Sequence, residues 1–320
     1  MTTEVAPGVF RLQIPVPFKL GHVNLYLIDG GEGFILVDTG VATPEAFAAV
    51  HAGLKGAGIG YGDLSEVVVT HFHADHSGQA GHVQKRSKAR VLMGDRDAAY
   101  LDDFFRNGPP WESDEFFSSH GVLASSAKEF REILPALARL ITPFSPDGTL
   151  ATGDRIGSGR ELIGLLTPGH TPGHLCVLLP EEGLLLSGDH VLPHITPHIG
   201  LYSNADPNPL GSYLSSLDAV SEIAPRRIFP AHGPVIEDPQ GRIRELLEHH
   251  RRRLDMILST MRSPGLTAWE VSRAIFGDEL DHAERWMAFF ESLAHLEYLV
   301  SKGALSRLES NARVVYLRPS

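Results

Sequence analysis

The sequence has almost no cysteine: Cys176 is the only one among 320 residues. A single thiol excludes a framework of intrachain disulfides and favours a reducing compartment. Because Cys176 lies in the apolar run of residues 175–179, we interpret it as a core residue rather than a nucleophile.

Long hydrophobic runs are also missing. No uninterrupted apolar stretch reaches the roughly 18 residues that span a bilayer. Residues 1–4 lack the basic region that opens a signal peptide, and no apolar core follows them. These absences predict a cytoplasmic protein with no membrane partner. The length favours one large domain with a small one.

Basic residues are too few to balance the acidic ones. The chain has 28 Lys and Arg against 39 Asp and Glu, a formal net charge of −11. This balance argues against a protein built to coat nucleic acid. A nucleic-acid partner is therefore not expected, although a local basic patch could still serve an RNA substrate.

Histidine, by contrast, is plentiful: the chain has 17, and three of them fall within one short segment. His71, His73 and His76 stand with Asp75 directly after the β-branched run of residues 67–69, which predicts a buried strand. Isolated histidine pairs are commonly exposed or satisfied by hydrogen bonds. Four potential ligands in the order H-x-H-x-D-H, on a loop at a strand end, instead favour a metal site.

Three later segments repeat this design. An apolar strand leads into a Pro-Gly turn that presents His170, a second ends at Asp189, and a third ends at His232. Ligands delivered by strand ends give the rigid arrangement that a metal site needs.

The motifs HFHADH, TPGHTPGH, SGDH and PAHG, in this order, resemble the metallo-β-lactamase superfamily over roughly residues 5–235. The strand end Val37-Asp38-Thr39-Gly40 is similar to that family's early Asp-Thr-Gly element. The resemblance extends to glyoxalase-II-like and lactamase-β-like subgroups. It implies an α/β fold, the αββα four-layer sandwich, and a metal-dependent hydrolase.

The resemblance also implies a ligand for each position of a two-metal site. The first metal would be bound by His71, His73 and His170, the second by Asp75, His76 and His232, and both by a bridging Asp189. Asp38 would orient the metal-binding loop. Position 73 is His and not the Glu of flavodiiron relatives, which disfavours redox iron chemistry.

Imidazole and carboxylate ligands without thiolates suit two divalent ions, with zinc expected and manganese or iron as alternatives. Two such ions lower the pKa of a bridging water toward roughly 7, so a bridging hydroxide becomes the expected nucleophile. We predict that Asp75 is catalytic and carries a proton after the attack.

Residues 95–145 interrupt the alternation of strands and helices with three predicted helices, at 97–105, 114–120 and 127–140. We expect this insertion to cover the site as a lid. Its aromatic residues could line an apolar substrate pocket or simply pack the helices onto the core. They are Phe104, Phe105, Trp111, Phe116 and Phe117.

The segment after Asp189 is rich in proline and histidine and is predicted to be a loop at the mouth of the site. His194, His198 and Tyr202 are candidates for substrate contacts or oxyanion stabilisation. Each could equally be an ordinary loop residue.

Residues 239–320 differ from the predicted catalytic domain, residues 1–238. Three helices (239–261, 267–276 and 282–302) precede two short strands, an order that resembles the winged-helix domain of a subgroup with mitochondrial lactamase-β-like ribonucleases. The third helix carries four acids against two bases, a poor surface for phosphate.

We interpret Arg251 to Arg253 as a solvated face, or as partners of Glu245 and Glu248. The domain is expected to serve packing or oligomerisation, which allows a homodimer.

Hydrolysis of a small carbonyl substrate (a thioester, lactone or other ester) is the expected activity, with a β-lactam as a remote option. The alternative is a phosphodiesterase or endoribonuclease acting on single-stranded RNA, suggested by the resemblance of the C-terminal domain. A further alternative is a mononuclear iron dioxygenase that oxidises a persulfide, which metal analysis would reveal.

Overall fold

The computed structural model describes residues 2–108, 112–202, 206–261, 265–310 and 312–319. Trp111, one of the aromatic residues predicted for the lid, lies outside these ranges.

The first sheet has seven strands, hydrogen-bonded in chain order. They are β1 (Thr2–Ala6), β2 (Val9–Pro15), β3 (His22–Asp29), β4 (Phe34–Val37), β5 (Leu64–Val69), β6 (Arg90–Gly94) and β7 (Gly148–Leu150). The pairs from β1 to β4 are antiparallel and those from β4 to β7 are parallel. The continuous apolar run Val67 to Val69 fits a parallel strand because both faces of such a strand are covered.

The second sheet has five strands in the order β12-β11-β10-β9-β8. They are β8 (Arg155–Ile156), β9 (Leu162–Leu166), β10 (Leu175–Leu179), β11 (Leu184–Gly188) and β12 (Arg227–Pro230). Strands β11 and β12 are parallel, whereas the other pairs are antiparallel.

Ten α-helices are found within the described residues. They are α1 (Pro44–Gly56), α2 (Ala74–Ser77), α3 (Ala80–Arg86), α4 (Asp95–Asn107), α5 (Asp114–Ser119), α6 (Ala124–Ala138), α7 (Pro209–Ile223), α8 (Pro239–Thr260), α9 (Ala268–Phe276) and α10 (His282–Ser301). A hairpin, β13 (Ser306–Ser310) and β14 (Arg313–Leu317), follows α10. In the part of the chain that the structure describes, no helix is both long and apolar enough to cross a membrane.

Three buried clusters define the layers. Val37 and Val68 of the first sheet meet Val177 and Phe229 of the second in a core between the sheets. Other side chains of the first sheet pack outward against α1, α3 and α4. The outward face of the second sheet packs against α7 and α8 and includes Cys176. The predicted αββα sandwich is therefore confirmed.

Burial raises the pKa of Cys176 to about 12, which keeps it a thiol as expected of a core residue.

The lid and the C-terminal helices share a fourth core. Phe117 of α5 and Phe130 of α6 pack with Trp269 of α9 and with Phe289 and Phe290 of α10. The order of three helices and a hairpin matches the sequence-based expectation, and capping boxes start α9 and α10. The winged-helix assignment and the domain division after residue 238 stay predictions.

Candidate metal centre

The predicted ligands come together at one edge of the sandwich. They follow the ends of β5, β9, β11 and β12, with Asp75 and His76 on the short helix α2. Three groups of potential ligand atoms each lie within 4.8 Å of one another: His71, His73 and His170; His71, His76 and Asp189; and Asp75, His76 and His232. Segments far apart in the sequence thus build one cluster.

The first part of the cluster consists of three imidazoles. The Nδ1 atom of His73 lies 3.0 Å from Nε2 of His71 and 3.0 Å from Nε2 of His170. The three rings therefore direct nitrogen atoms at a common point.

Asp189 joins this group to the second. Its Oδ2 lies 3.7 Å from Nε2 of His170, and its Oδ1 lies 3.6 Å from Nε2 of His76 and 3.5 Å from Nε2 of His232. Asp75 completes the second group, with Oδ2 3.3 Å from Nε2 of His232 and 3.7 Å from Nε2 of His76. Asp189 thus faces both groups.

Several of these atoms are buried without a hydrogen-bond partner. Nε2 of His76, Nε2 of His232 and Oδ1 of Asp189 are all in this state. Buried polar atoms are normally paired because an unpaired one costs free energy. Nitrogen and oxygen atoms converging without thiolates are typical ligands of divalent ions, so the residues fit bound metal.

Asp38 fixes one side of the cluster from behind. Its Oδ2 lies 2.8 Å from Nδ1 of His76, and its Oδ1 accepts the Thr70 amide at 2.8 Å and the Thr70 hydroxyl at 2.9 Å. The Thr70 hydroxyl oxygen is in turn 3.1 Å from Nδ1 of His71. These contacts direct the Nε2 atoms of both histidines into the site, the arrangement that a histidine ligand requires. The predicted position of Asp38 behind the loop is therefore observed.

Backbone carbonyls hold the other side. Nδ1 of His170 donates to the carbonyl of His198 at 2.8 Å, and Nδ1 of His232 donates to the carbonyl of His22 at 3.0 Å. A carbonyl only accepts, so each imidazole carries a hydrogen on Nδ1 and turns its Nε2 inward, toward the cluster.

The two groups differ in charge. Burial lowers the pKa of His71, His73 and His170, with His170 at about 3, so these rings are neutral. Burial acts on His76 in the same direction, but Asp38, Asp75 and Asp189 outweigh it and raise its pKa to about 10. Metal binding at the second group must therefore displace a proton from His76.

The carboxylate of Asp75 behaves in the opposite way. Burial would raise its pKa, but His76 and His232 hold the pKa below its usual range. Asp75 is therefore ionised at neutral pH and available as a ligand.

A cavity of about 750 Å³ opens from this cluster. His73, Asp75, His170 and Asp189 line one part of it. Apolar side chains from the lid and from α10 also line it: Tyr100, Phe104, Phe117, Ile133, Leu134, Leu137, Trp286 and Phe290. The insertion thus lies over the site.

Of the predicted lid aromatics, some line the substrate cavity and others pack the helices onto the core. Phe104 and Phe117 line the cavity. Phe105 packs against the core beneath α4, and Phe116 packs in the core shared with the C-terminal helices. Neither Phe105 nor Phe116 is part of the cavity wall as described.

The loop after Asp189 contributes two of its three candidates. His198 and Tyr202 line the cavity, and their side chains contact each other, with His198 Nε2 2.9 Å from the Tyr202 hydroxyl. His194 is exposed and does not belong to the described lining, so its substrate role stays a prediction.

The interpretation of the Arg251 to Arg253 run needs correction at Arg253 and at Glu245 only. Arg251 is exposed and pairs with Glu248 at 2.7 Å, as predicted. Arg253 is largely buried, with its Nη1 3.3 Å from Glu291, because its face of α8 turns toward α10. Glu245 pairs with Arg242 instead.

Sequence reasoning missed Asp97, which it treated only as the start of a helix. Asp97 is fully buried, and its carboxylate accepts hydrogen bonds from the Phe72 amide, the Thr171 hydroxyl and the Gly173 amide. It therefore connects the loop that carries His71 and His73 to the loop that carries His170. An aspartate in the first turn of a helix is common, so no local signal marked it.

The two facing sheets, with a histidine and carboxylate cluster at their strand ends, define a metallo-hydrolase. Residues 19–232 match the family model described as "Metallo-beta-lactamase superfamily", and residues 254–319 match "Metallo-beta-lactamase-like, C-terminal domain". Since the first match covers more than half of the chain, the protein belongs to the metallo-β-lactamase superfamily.

Similar proteins agree with this membership. A Bacillus subtilis protein named "Probable metallo-hydrolase YqjP" is 28% identical over 96% of this chain and 95% of its own length. The "Lactamase-like protein nscB" of Trichophyton rubrum is 28% identical over 81% of this chain, which spans only 64% of that protein. A metallo-beta-lactamase family protein from Thermus thermophilus has a solved structure that is 34% identical, with a TM-score of 0.85 over 99% of this chain and 100% of its own.

Proposed function

We propose that the protein is a dinuclear-metal hydrolase that cleaves a small carbonyl substrate (a thioester, lactone or other ester) carrying a bulky apolar group. The observation that carries this proposal is the cavity, whose wall is mostly apolar and which reaches the ligand cluster. Concave, mostly apolar pockets with a few converging polar groups are typical of small-molecule sites.

The proposed roles follow the geometry of the cluster. His71, His73 and His170 would hold one ion, Asp75, His76 and His232 the other, and Asp189 would contact both. Zinc is the expected metal, with manganese or iron as alternatives. Two such ions supply hydroxide at neutral pH and polarise the substrate oxygen.

The chain's own residues would then orient the substrate and move a proton. The apolar wall from α4, α6 and α10 would hold the acyl group and exclude water from the reacting carbonyl. Asp75 lines the cavity and is ionised, so after the attack it can accept the proton of the added hydroxyl group and deliver it to the leaving group.

Cleavage of single-stranded RNA is less compatible with this cavity. Among the described lining residues, the lysine and arginine side chains are those of Lys19 and Arg131, and both are paired. Lys19 binds Asp281 at 2.9 Å, and Arg131 binds Asp114. A phosphate chain would have to compete with these carboxylates.

A mononuclear iron dioxygenase is disfavoured because the second ligand group is fully assembled beside the first. The name of the Bacillus subtilis relative also supports hydrolysis. A cytoplasmic location and a homodimer stay predictions.

A turnover assay on zinc-loaded protein would test the proposal. Acyl thioesters and lactones of increasing chain length would be compared with a single-stranded RNA oligonucleotide, and a sample stripped by a chelator would serve as the blank. Chelator-sensitive cleavage of the carbonyl panel alone is expected. Cleavage of RNA alone would overturn the substrate class, and a single iron per chain would overturn the two-metal site.

A further inference from the structure

A largely buried group of polar and charged side chains lies behind the cavity wall. Oε2 of Glu291, on α10, is 3.9 Å from Nδ1 of His198, and Oε1 is 3.3 Å from Nη1 of Arg253, on α8. The side chains are only 14%, 19% and 16% exposed for Glu291, His198 and Arg253. The C-terminal helices therefore contact the loop that follows Asp189.

This loop in turn contacts the metal centre. The carbonyl of His198 accepts the Nδ1 hydrogen of His170, which sets how His170 faces the ligand cluster. The ring of His198 also contacts the Tyr202 hydroxyl on the cavity wall. One residue therefore links Glu291 to a proposed metal ligand and to the substrate cavity.

The local backbone is built to permit these contacts. A Cβ atom on Gly200 would lie 2.6 Å from Nε2 of His198 and 2.9 Å from the Tyr202 hydroxyl oxygen, closer than real Cβ contacts occur. Any other residue at position 200 would therefore have to displace one or both of these side chains.

Glu291 is present as a carboxylate. Burial would raise its pKa, but His198, His295 and Arg253 lower it to about 2. A buried carboxylate is stable only with partners, so Arg253 and His198 are held close to it.

We propose that Glu291 is a positioning residue, through which the C-terminal helices fix His198 and hence the orientation of His170 in the metal centre. This inference rests on the metal site of the proposed function. It also gives the C-terminal region a role in the centre, although that region supplies none of the proposed ligands.

The test compares E291Q with E297Q. Glu297 is a matched control because it lies on the same helix and accepts a hydrogen bond from Tyr316 at 2.6 Å, in contact with the hairpin. Zinc affinity would be measured without substrate, by competition with a chromophoric chelator, beside thermal melting of each variant. We expect E291Q to weaken zinc binding about tenfold, as residues behind metal ligands do, and E297Q to leave it unchanged.

A double-mutant cycle shows whether Glu291 acts through His198. In the H198A background, E291Q should have no further effect on zinc affinity. Equal losses for E291Q and E297Q, or the same loss with and without His198, would overturn the proposal. If E291Q does not fold, H198A alone decides, since unchanged zinc affinity there contradicts the proposal. Wild-type protein that binds no zinc would instead contradict the proposed function.

Discussion

The carboxylate of Asp97 accepts a hydrogen bond from the Thr171 hydroxyl at 2.7 Å, across 74 residues of sequence. This contact joins the first turn of α4 to the loop that presents His170. Together with the Phe72 and Gly173 amides, it makes Asp97 the link between two ligand-bearing loops.

Replacement of Asp97 by asparagine should destabilise the protein in a pH-dependent way. The carboxylate of Asp97 offers two acceptor oxygens to its three donors, whereas the amide of asparagine offers only one. Leaving a buried donor without an acceptor should lower the free energy of unfolding by roughly 1–3 kcal/mol. Burial raises the pKa of Asp97 to about 7, so its stabilising contribution is complete at acidic pH, below the pKa of the unfolded chain, and is lost as the pH rises through 7. We expect the difference in Tm between wild type and D97N to be larger at pH 5 than at pH 8.

Asp103→Asn, on the exposed face of the same helix, is the control for D97N. A difference in Tm that is constant across this pH range would contradict the assignment.

Asp38→Asn should weaken metal binding while keeping the fold. Asp38 has a φ of 63°, a left-handed conformation that asparagine tolerates well, so the backbone should persist. The amide can donate toward Nδ1 of His76 and favour the wrong tautomer, which should lower metal affinity about 10–100-fold. Chelator competition would measure this loss, with the exposed Asp29→Asn as the control. Unchanged affinity would show that Asp38 has only a structural role.

His232→Ala should remove one of two bound ions and abolish turnover. His232 belongs to the second ligand group only, so the first group stays intact. Metal analysis after dialysis should give two ions per chain for wild type, two for the exposed control His282→Ala, and one for H232A. Two ions retained in H232A would mean that the ligand set is wrong.

Leu134→Trp should restrict the enzyme to substrates with shorter acyl chains. Leu134 lies on α6 and lines the apolar wall, so a larger ring there would occupy space meant for the acyl group. Overpacking typically costs roughly 1–3 kcal/mol. If a long acyl chain bears this cost when it binds, kcat/KM for a long-chain thioester should fall about tenfold, whereas kcat/KM for an acetyl thioester should change little. Leu123→Trp is the matched control because Leu123 is 57% exposed. Equal losses for both substrates would argue against this wall as the acyl site.

The strands and their polar ends could be read from local pattern. The apolar runs before His71, His170, Asp189 and His232 each predict a buried strand. The structure brings the ends of all four strands to one edge of the sandwich. The burial of Cys176 and the helices of the C-terminal region could also be predicted, because hydrophobic periodicity and helix capping depend on residues close together in the sequence.

The supporting contacts could not be read in this way. Nothing near Glu291 distinguishes it from the other acids of α10, and nothing near Arg253 separates it from its two arginine neighbours. Their roles depend on which faces of α8 and α10 meet, and that is decided by packing among side chains distant in sequence.

The sequence by itself thus determined the superfamily, the sandwich and the set of candidate ligands, since each depends on short motifs at strand ends. Only the tertiary structure decided that Asp97 joins two loops, that His198 and Tyr202 reach the cavity while His194 stays exposed, and that an apolar cavity adjoins the ligands. The physical reason is that burial and charge pairing are properties of surfaces brought together by folding, and residue spacing along the chain does not encode them locally.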